Sequence, residues 1–322
     1  MYTRYLCIHI PKKRNVQRKQ LYQFLFYHNL IYYRKKMSKA RLRPMQLFNM
    51  SGKVCIVTGA SSGLGERFVR VLHAVNASVV CCARRLDRLQ QLQKELGTSR
   101  VFVVKCDVAI KEDRDHLIQQ TLERFQRIDV LINNAGVSLD DGQPATKLNS
   151  ETFLKVMNIN VNALFFLSQE VGNIMLKQKK HDPNSNDGVI VNNASVHAFG
   201  ASAPNYNLSY STSKAAVVNM SRELAIQWAT RGVRVNCLAP GYFPSEIHTS
   251  EAMPKNMTLE NGTVLDEKGE LNPYSKHIMS NISMKRLGKA DELDGALLFL
   301  CSNASSYATG MVLQVDGGWT HY

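Results

Sequence analysis

The sequence predicts an α/β fold, a doubly wound parallel sheet of about seven strands in a single domain. Three observations carry that expectation. From residue 53 onward, short β-branched runs alternate with longer stretches of helical period. The runs are apolar almost throughout, as strands buried on both faces are. Few of them are joined by hairpin turns, so consecutive strands need right-handed crossovers, which place helices on both faces of the sheet. At 322 residues and 44% hydrophobic, the chain is long enough to bury a core of that size.

In chain order the strand candidates are "KVCIVTG" (53–59), "SVVCCA" (78–83), "VFVVKC" (101–106), "DVLINN" (129–134), "GVIVNNAS" (188–195), "VRVNCLAP" (233–240) and "MVLQVDGG" (311–318). Helix candidates lie near 64–75, 86–96, 111–126, 150–178, 209–230 and 290–302. One stretch, 245–285, lacks this rhythm and is polar and rich in turn residues. Such an insert is either a mobile surface excursion or a lid over a substrate pocket. There is no internal repeat and no low-complexity tract. Sheets of this kind bind ligands beyond the carboxyl ends of their strands, where the topology switches direction, so a motif gains meaning when it follows a strand.

A net charge of +14 suggests a nucleic-acid or membrane partner until its location is considered. Residues 1–50 hold 12 Lys and Arg and no acid, which leaves 28 basic against 26 acidic side chains in 51–322. The expected domain, 51–322, is nearly neutral, and no nucleic-acid partner is expected for it. The excess belongs to a basic, aromatic N-terminal extension, 1–50. Its stretch "LYQFLFYHNLIYY" is too short and too polar to span a bilayer, and no uninterrupted apolar region marks a secretory signal. Three readings stay open. A mitochondrial transit peptide fits the missing acids but not the scarcity of serine. A basic arm for a membrane surface or nucleic acid is a second. The favoured reading is a poorly ordered tail ahead of a later initiator at Met37 or Met45. Most of the seven cysteines fall inside apolar runs with no C-x-x-C pair, as small buried thiols do in a reducing compartment. The expected location is therefore cytoplasmic, with mitochondrial as the alternative. The N-x-S/T matches at Asn256, Asn261 and Asn281 then read as chance.

Directly after the first strand comes "TGASSGLGERF", with glycines at 59, 63 and 65. A strand-to-helix turn without side chains lets backbone N–H groups and a helix N-terminus approach a pyrophosphate. The spacing G-x-x-x-G-x-G differs from the general G-x-G-x-x-G fingerprint, and alone it is a weak signal. Further on stands "YSTSK" (210–214). On a helix, Tyr210 and Lys214 share a face one turn apart. Alone, the stretch also reads as a polar first helical turn.

Taken together, "TGASSGLG", "NNAG" (133–136), the serine in "NNASV", "YSTSK" and "APG" (239–241) resemble the short-chain dehydrogenase/reductase family in order and spacing. The resemblance covers 51–322 almost continuously, and the C-terminal end is similar to bacterial gluconate dehydrogenases and 3-oxoacyl-carrier-protein reductases. It implies a Rossmann-type sheet, a nicotinamide cofactor and a set of roles. Tyr210 would be the general acid toward a carbonyl, or the base in the reverse direction. An unperturbed phenol titrates near pH 10, so it needs the positive charge of Lys214, which would also hold the nicotinamide ribose. Ser195 would polarise the substrate carbonyl. The fourteen residues between Ser195 and Tyr210 slightly exceed the usual family interval, and Ser202 reads as a loop residue. Asn160 would kink its helix and hold a water for proton relay to the lysine. Asn158 and Asn162 flank it closely enough for a one-step shift of that role.

By the same resemblance Gly59, Ser61, Ser62, Gly63, Leu64 and Gly65 would cradle the cofactor phosphates. Asp107 and Val108 would meet the adenine edge, although Asp107 also suits simple helix capping. Asn134 would brace the sheet beside Ala135 and Gly136, and Pro240 and Gly241 would cover the nicotinamide, with Ser245 standing where the family often has threonine. At the end of the second strand, where an enzyme using NAD places an acid, stand Ala83, Arg84 and Arg85. A guanidinium suits a 2′-phosphate, so NADP(H) is favoured, with Arg84 as its partner and Arg85 a surface charge at a helix start.

The expected protein is an NADP(H)-dependent alcohol dehydrogenase/carbonyl reductase, a homodimer or homotetramer, acting on a 3-oxoacyl thioester or on a polyol or sugar acid. No metal is called for, since Tyr210, Ser195 and Lys214 supply what zinc otherwise would. The rival is a nucleotide-binding sensor on the same fold, which would have no use for an aligned acid.

Overall fold

A computed structural model describes residues 44–181, 188–200, 206–243 and 273–321. Met37, Ser202, Ser245, Asn256, Asn261 and most of the 245–285 insert lie outside the described residues. Residues 47–322 form one unit built on a seven-stranded, wholly parallel sheet. Its strands are β1 (Val54–Thr58), β2 (Ser78–Ala83), β3 (Val101–Lys105), β4 (Val130–Asn133), β5 (Gly188–Asn193), β6 (Val233–Pro240) and β7 (Val312–Val315). Their spatial order is β3-β2-β1-β4-β5-β6-β7.

The apolar runs form strands because both faces of the sheet are covered. Every residue of β1, β4, β5 and β6 is buried. Within β1 the period of two divides the core, Cys55 and Val57 facing one layer and Val54 and Ile56 the other. The first layer is α1 (Gly63–Ala74), α2 (Leu86–Leu96) and α8 (Asp294–Cys301), packed through Phe68, Leu72, Leu89 and Leu297. The second is α3 (Lys111–Phe125), α5 (Leu164–His181) and α6 (Leu208–Trp228), packed through Leu117, Leu167, Val171 and Trp228.

The single helix expected over 150–178 is instead α4 (Ser150–Met157), a π turn (Asn158–Ala163) and then α5. The Asn149 side chain caps α4 by accepting from the Glu151 N–H at 2.7 Å. One further helix, α7 (Pro273–Asn281), falls inside the insert without rhythm. It is short, and Ile278 and Ile282 anchor it, too few apolar residues to show a period. No helix among the described residues is long and apolar enough to cross a membrane, and the six described cysteines are buried thiols.

A buried polar ladder crosses the centre of the sheet toward its carboxyl edge. Asn133 Nδ2 donates to Ser168 Oγ at 2.8 Å and to Asn192 Oδ1 at 2.9 Å, and Asn192 Nδ2 donates to Ser221 Oγ at 2.8 Å. The ladder ties β4 and β5 to α5 and α6, and a buried network of this kind stabilises only while each member keeps its partners. Asn192→Ala leaves one Asn133 amide hydrogen unmatched and should cost about 2–4 kcal/mol. Urea unfolding should show a lower midpoint at an unchanged m-value, and an unaltered midpoint would contradict this role.

Candidate active site

Strands β1 and β4 are neighbours, yet the chain leaves β1 for a helix of the first layer and leaves β4 for helices of the second. A crevice therefore opens at their carboxyl ends. The glycine turn, "NNAG" and the segments after β5 and β6 all end there.

Gly59 leaves β1 at φ +65°, and α1 begins at Gly63. At Gly65 an added Cβ would stand 2.2 Å from the Gly59 carbonyl oxygen, so only glycine lets the helix start this close to the strand. Leu64 lies between them in the first turn. Ser62 occupies the N-cap position of α1 but makes no side-chain capping bond. The Ser61 and Ser62 hydroxyls instead meet Arg85, whose guanidinium donates to Ser61 Oγ at 3.1 Å and to Ser62 Oγ at 2.6 Å. Arg84 and Arg85 are both exposed at the end of β2, and it is Arg85, expected as a surface charge, that reaches the turn. Asp107 follows β3. Its Oδ1 accepts the Ala109 N–H at 3.0 Å, and the N-cap of α3 is Ile110, so Asp107 closes a turn and does not cap that helix. The neighbouring Val108 carbonyl accepts from Arg114 at 2.9 Å.

After β4, the Asn134 and Ala135 N–H groups both donate to Thr58 Oγ1 at 2.9 Å. Asn134 Nδ2 donates to the Thr58 carbonyl at 3.0 Å, and its Oδ1 accepts from Asn193 Nδ2 at 2.9 Å. One side chain thus joins the ends of β1, β4 and β5. Asn193 Oδ1 is buried without a hydrogen-bond partner, an acceptor left over for a ligand donor. Pro240 ends β6, and the Gly241 N–H donates to the Val315 carbonyl at 2.9 Å.

The four expected catalytic side chains converge. Tyr210 and Lys214 stand one turn apart on α6, 7% and 3% exposed. Against burial, the Ser195 hydroxyl acts on the Tyr210 phenol as a smaller lowering influence; Ser195 follows β5 and takes the N-cap position of a short turn, accepting the His197 N–H at 3.2 Å. Lys214 Nζ lies 5.5 Å from the Tyr210 ring centroid and donates to the Asn193 carbonyl at 2.7 Å. Asn160, not Asn158 or Asn162, is the buried member of its trio. Its amide clamps the Val137 backbone at both ends, accepting from N and donating to O at 2.9 Å, and it donates to Ser213 Oγ at 3.0 Å. Gly136 fits between these groups. A Cβ on it would meet Asn160 Oδ1 at 3.3 Å and Lys214 Nζ at 3.6 Å.

Burial dominates the electrostatics of the pair. It pushes the Tyr210 phenol up to about 12, against a smaller lowering by the Ser195 hydroxyl. It brings the Lys214 ammonium down to about 8. The phenol is thus held neutral, which is the form an acid needs.

An aromatic cluster that meets Tyr210 through His197 is not announced by the sequence. The His197 ring lies 5.6 Å from Tyr210, 5.7 Å from Tyr242 and 6.0 Å from Trp319, on which it stacks. Tyr242 Oη and His197 Nε2 are 3.3 Å apart. A histidine two residues past Ser195 was the available signal. Trp319 is brought in from the C-terminal turn, which no local pattern announces.

Residues 59–320 match the family model described as enoyl-(acyl carrier protein) reductase. The chain is 33% identical over 279 residues to 2-dehydro-3-deoxy-D-gluconate 5-dehydrogenase of Bacillus subtilis, covering 84% of this chain and 96% of that one. It is 34% identical over 275 residues to galactitol 2-dehydrogenase (L-tagatose-forming) of Cereibacter sphaeroides, covering 85% and 97%. Among solved structures, a gluconate 5-dehydrogenase from Burkholderia cenocepacia in complex with NADP and tartrate superposes with a TM-score of 0.73 at 26% identity, over 87% of this chain and 100% of that one. A seven-stranded parallel sheet with its glycine turn at the switch point, matched along nearly its whole length by dehydrogenases, leaves one conclusion: the chain belongs to the short-chain dehydrogenase/reductase family and is an oxidoreductase acting on alcohol and ketone groups.

Proposed function

We propose that this chain interconverts a secondary alcohol and a ketone with NADP(H), through Tyr210, Lys214, Ser195 and Asn160. The observation that carries the reading is the buried Tyr210 phenol with the Lys214 ammonium 5.5 Å from its ring, one helical turn away and fixed to the Asn193 carbonyl at 2.7 Å. The residues at the crevice fit a dinucleotide. Gly59, Ser61, Ser62, Gly63, Leu64 and Gly65 would receive its phosphates, Asp107 and Val108 its adenine, and Asn134, Ala135, Gly136, Pro240 and Gly241 its nicotinamide half. The unpartnered Asn193 Oδ1 and the side-chain-free edge at Gly136 support that placement. A bound nicotinamide supplies or accepts the hydride.

In reduction, Tyr210 donates its phenolic proton to the carbonyl oxygen as negative charge develops there, and the Ser195 hydroxyl donates a hydrogen bond to the same oxygen. Lys214 stabilises the phenolate left behind and orients the ribose. Asn160 holds the Gly136–Val137 backbone and the water through which a proton returns to the lysine. The substrate is a polyol, a sugar acid or a 3-oxoacyl thioester. The hydroxylated substrates in the names of its relatives support the first two, and the rings of His197, Tyr242 and Trp319 would face it.

Preference for NADP(H) rests on Arg84 and Arg85, on the contact of Arg85 with Ser61 and Ser62, and on alanine at position 83. Each charge-assisted contact to a 2′-phosphate is worth about 1.5–3 kcal/mol. Replacing Arg84 and Arg85 by Asp should therefore lower the NADPH-to-NADH ratio of kcat/KM by about 10- to 100-fold or more. An unchanged ratio would mean that the 2′ position is read elsewhere.

Tyr210→Phe should cut turnover by about 10²- to 10⁴-fold in a panel of ketones and polyols followed by nicotinamide absorbance, with cofactor binding preserved. Full activity in that variant would remove Tyr210 from the mechanism. The pH dependence follows from Lys214, whose lowered value keeps it charged below about pH 8 and neutral above. Ketone reduction should be fastest below about pH 8 and decline above it as the ammonium is lost. A rate that stays level to pH 10 would contradict that assignment.

A further inference from the structure

The first turn of α6 has a capping arrangement that its own sequence does not supply. The N-cap residue, Asn207, makes no side-chain capping bond. The orphan N–H groups of a first helical turn then need another acceptor. It comes from Asp140, about seventy residues earlier, in the loop after β4. Asp140 Oδ1 accepts from the Ser209 N–H at 3.3 Å and from the Ser209 hydroxyl, and Oδ2 accepts from the Tyr210 N–H at 3.1 Å. The side chain is 1% exposed. A carboxylate buried this deeply is tolerated only when its oxygens are satisfied, as they are here by three donors at the positive end of a 21-residue helix.

The backbone N–H of Tyr210 is itself one of those donors, so the position of the phenol along the crevice depends on the Asp140 loop. That loop is held at several further points. It begins at Asn134 and Ala135, both bonded to Thr58 at the end of β1. Val137 is clamped by Asn160, and the Ser138 hydroxyl donates to Asn207 Oδ1 at 3.5 Å. An isolated antiparallel bridge pairs Gly142 with Tyr206, just before α6. A single short segment therefore touches the glycine turn, Asn160 and the helix that bears Tyr210 and Lys214.

We propose that Asp140 is a positioning residue for the reaction, a buried carboxylate that sets the Tyr210 phenol against Ser195 by holding the first turn of α6 from the β4 loop. The proposal rests on the catalytic reading of Tyr210 given above. A cap serving stability alone would lower the melting temperature and leave the folded enzyme equally fast. A carboxylate that positions the acid acts on the chemical step, where an ångström of misplacement costs on the order of 100-fold.

The test is a double-mutant cycle on the full chain, using Asp140→Asn, Tyr210→Phe and the double variant, assayed well below their melting temperatures with NADPH and a reducible ketone from the panel. Asp140→Asn keeps the shape but sets an amide N–H₂ against groups that must donate. Ser209→Ala, which removes only the hydroxyl donor to Asp140, serves as a milder variant that keeps the loop charge. The expected result for Asp140→Asn is a kcat lower by about 10- to 100-fold, with the KM for ketone and the Kd for NADPH within about threefold. Ser209→Ala should show a smaller loss of the same kind. Against the residual rate of Tyr210→Phe, Asp140→Asn should add almost nothing, because its effect passes through the phenol. If Tyr210→Phe loses activity while Asp140→Asn and Ser209→Ala keep kcat within twofold, the positioning role is overturned and the catalytic reading stands. Losses that multiply in the double variant overturn it as well. If Asp140→Asn does not fold, Ser209→Ala decides by the same criteria. Full activity in Tyr210→Phe overturns both readings.

Discussion

The adjacency of β1 and β4 is the constraint from which the site follows. Two parallel neighbours whose chains depart to opposite layers leave backbone groups at their carboxyl ends with no strand or helix to satisfy them. Asn134 and the Thr58 hydroxyl answer this with short bonds that cross from one strand end to the other. Asn193 extends the brace to β5, and through its carbonyl it also takes the Lys214 ammonium. The chemistry of the crevice is thus assembled on the same amides that close the sheet. A displaced strand end would move the lysine with it.

The Tyr210–Lys214 pair carries an electrostatic tension. Burial discourages both the phenolate and the ammonium, so in this pocket Tyr210 prefers to be neutral and Lys214 is easier to deprotonate than a surface lysine. A phenol held in this way is better disposed to give a proton than to take one at neutral pH. The Ser195 hydroxyl works against burial by lowering the phenol, and the serine is fixed by its place at the end of β5.

Most of the sheet was legible because burial on both faces forces unbroken apolar runs, and seven of them stand in the sequence. The glycine turn, Tyr210, Lys214, Ser195 and Asn160 were legible through local spacing that the resemblance ordered. What stayed hidden depends on where the chain returns in space. Arg84 and Arg85 are adjacent charges at the end of β2, and it is Arg85 that reaches back to Ser61 and Ser62. Asp140 looks like any loop acid until α6 is seen to start beside it. His197, Tyr242 and Trp319 come from three separate segments, and the α7 helix offers too few apolar residues to register a period.

The π turn at Asn158–Ala163 separates two phases of one continuous rod. An α-helix advances about 100° per residue, so a turn that holds one extra residue resets the angular register between α4 and α5. Val156 before the turn and Leu164 and Leu167 after it all remain buried, with Asn160 turned inward between them. Each half can therefore follow its own packing partners without dragging the asparagine out of the crevice. The quantity this stretch must preserve is its number of residues more than their kinds, since gaining or losing one would rotate an apolar stripe toward water.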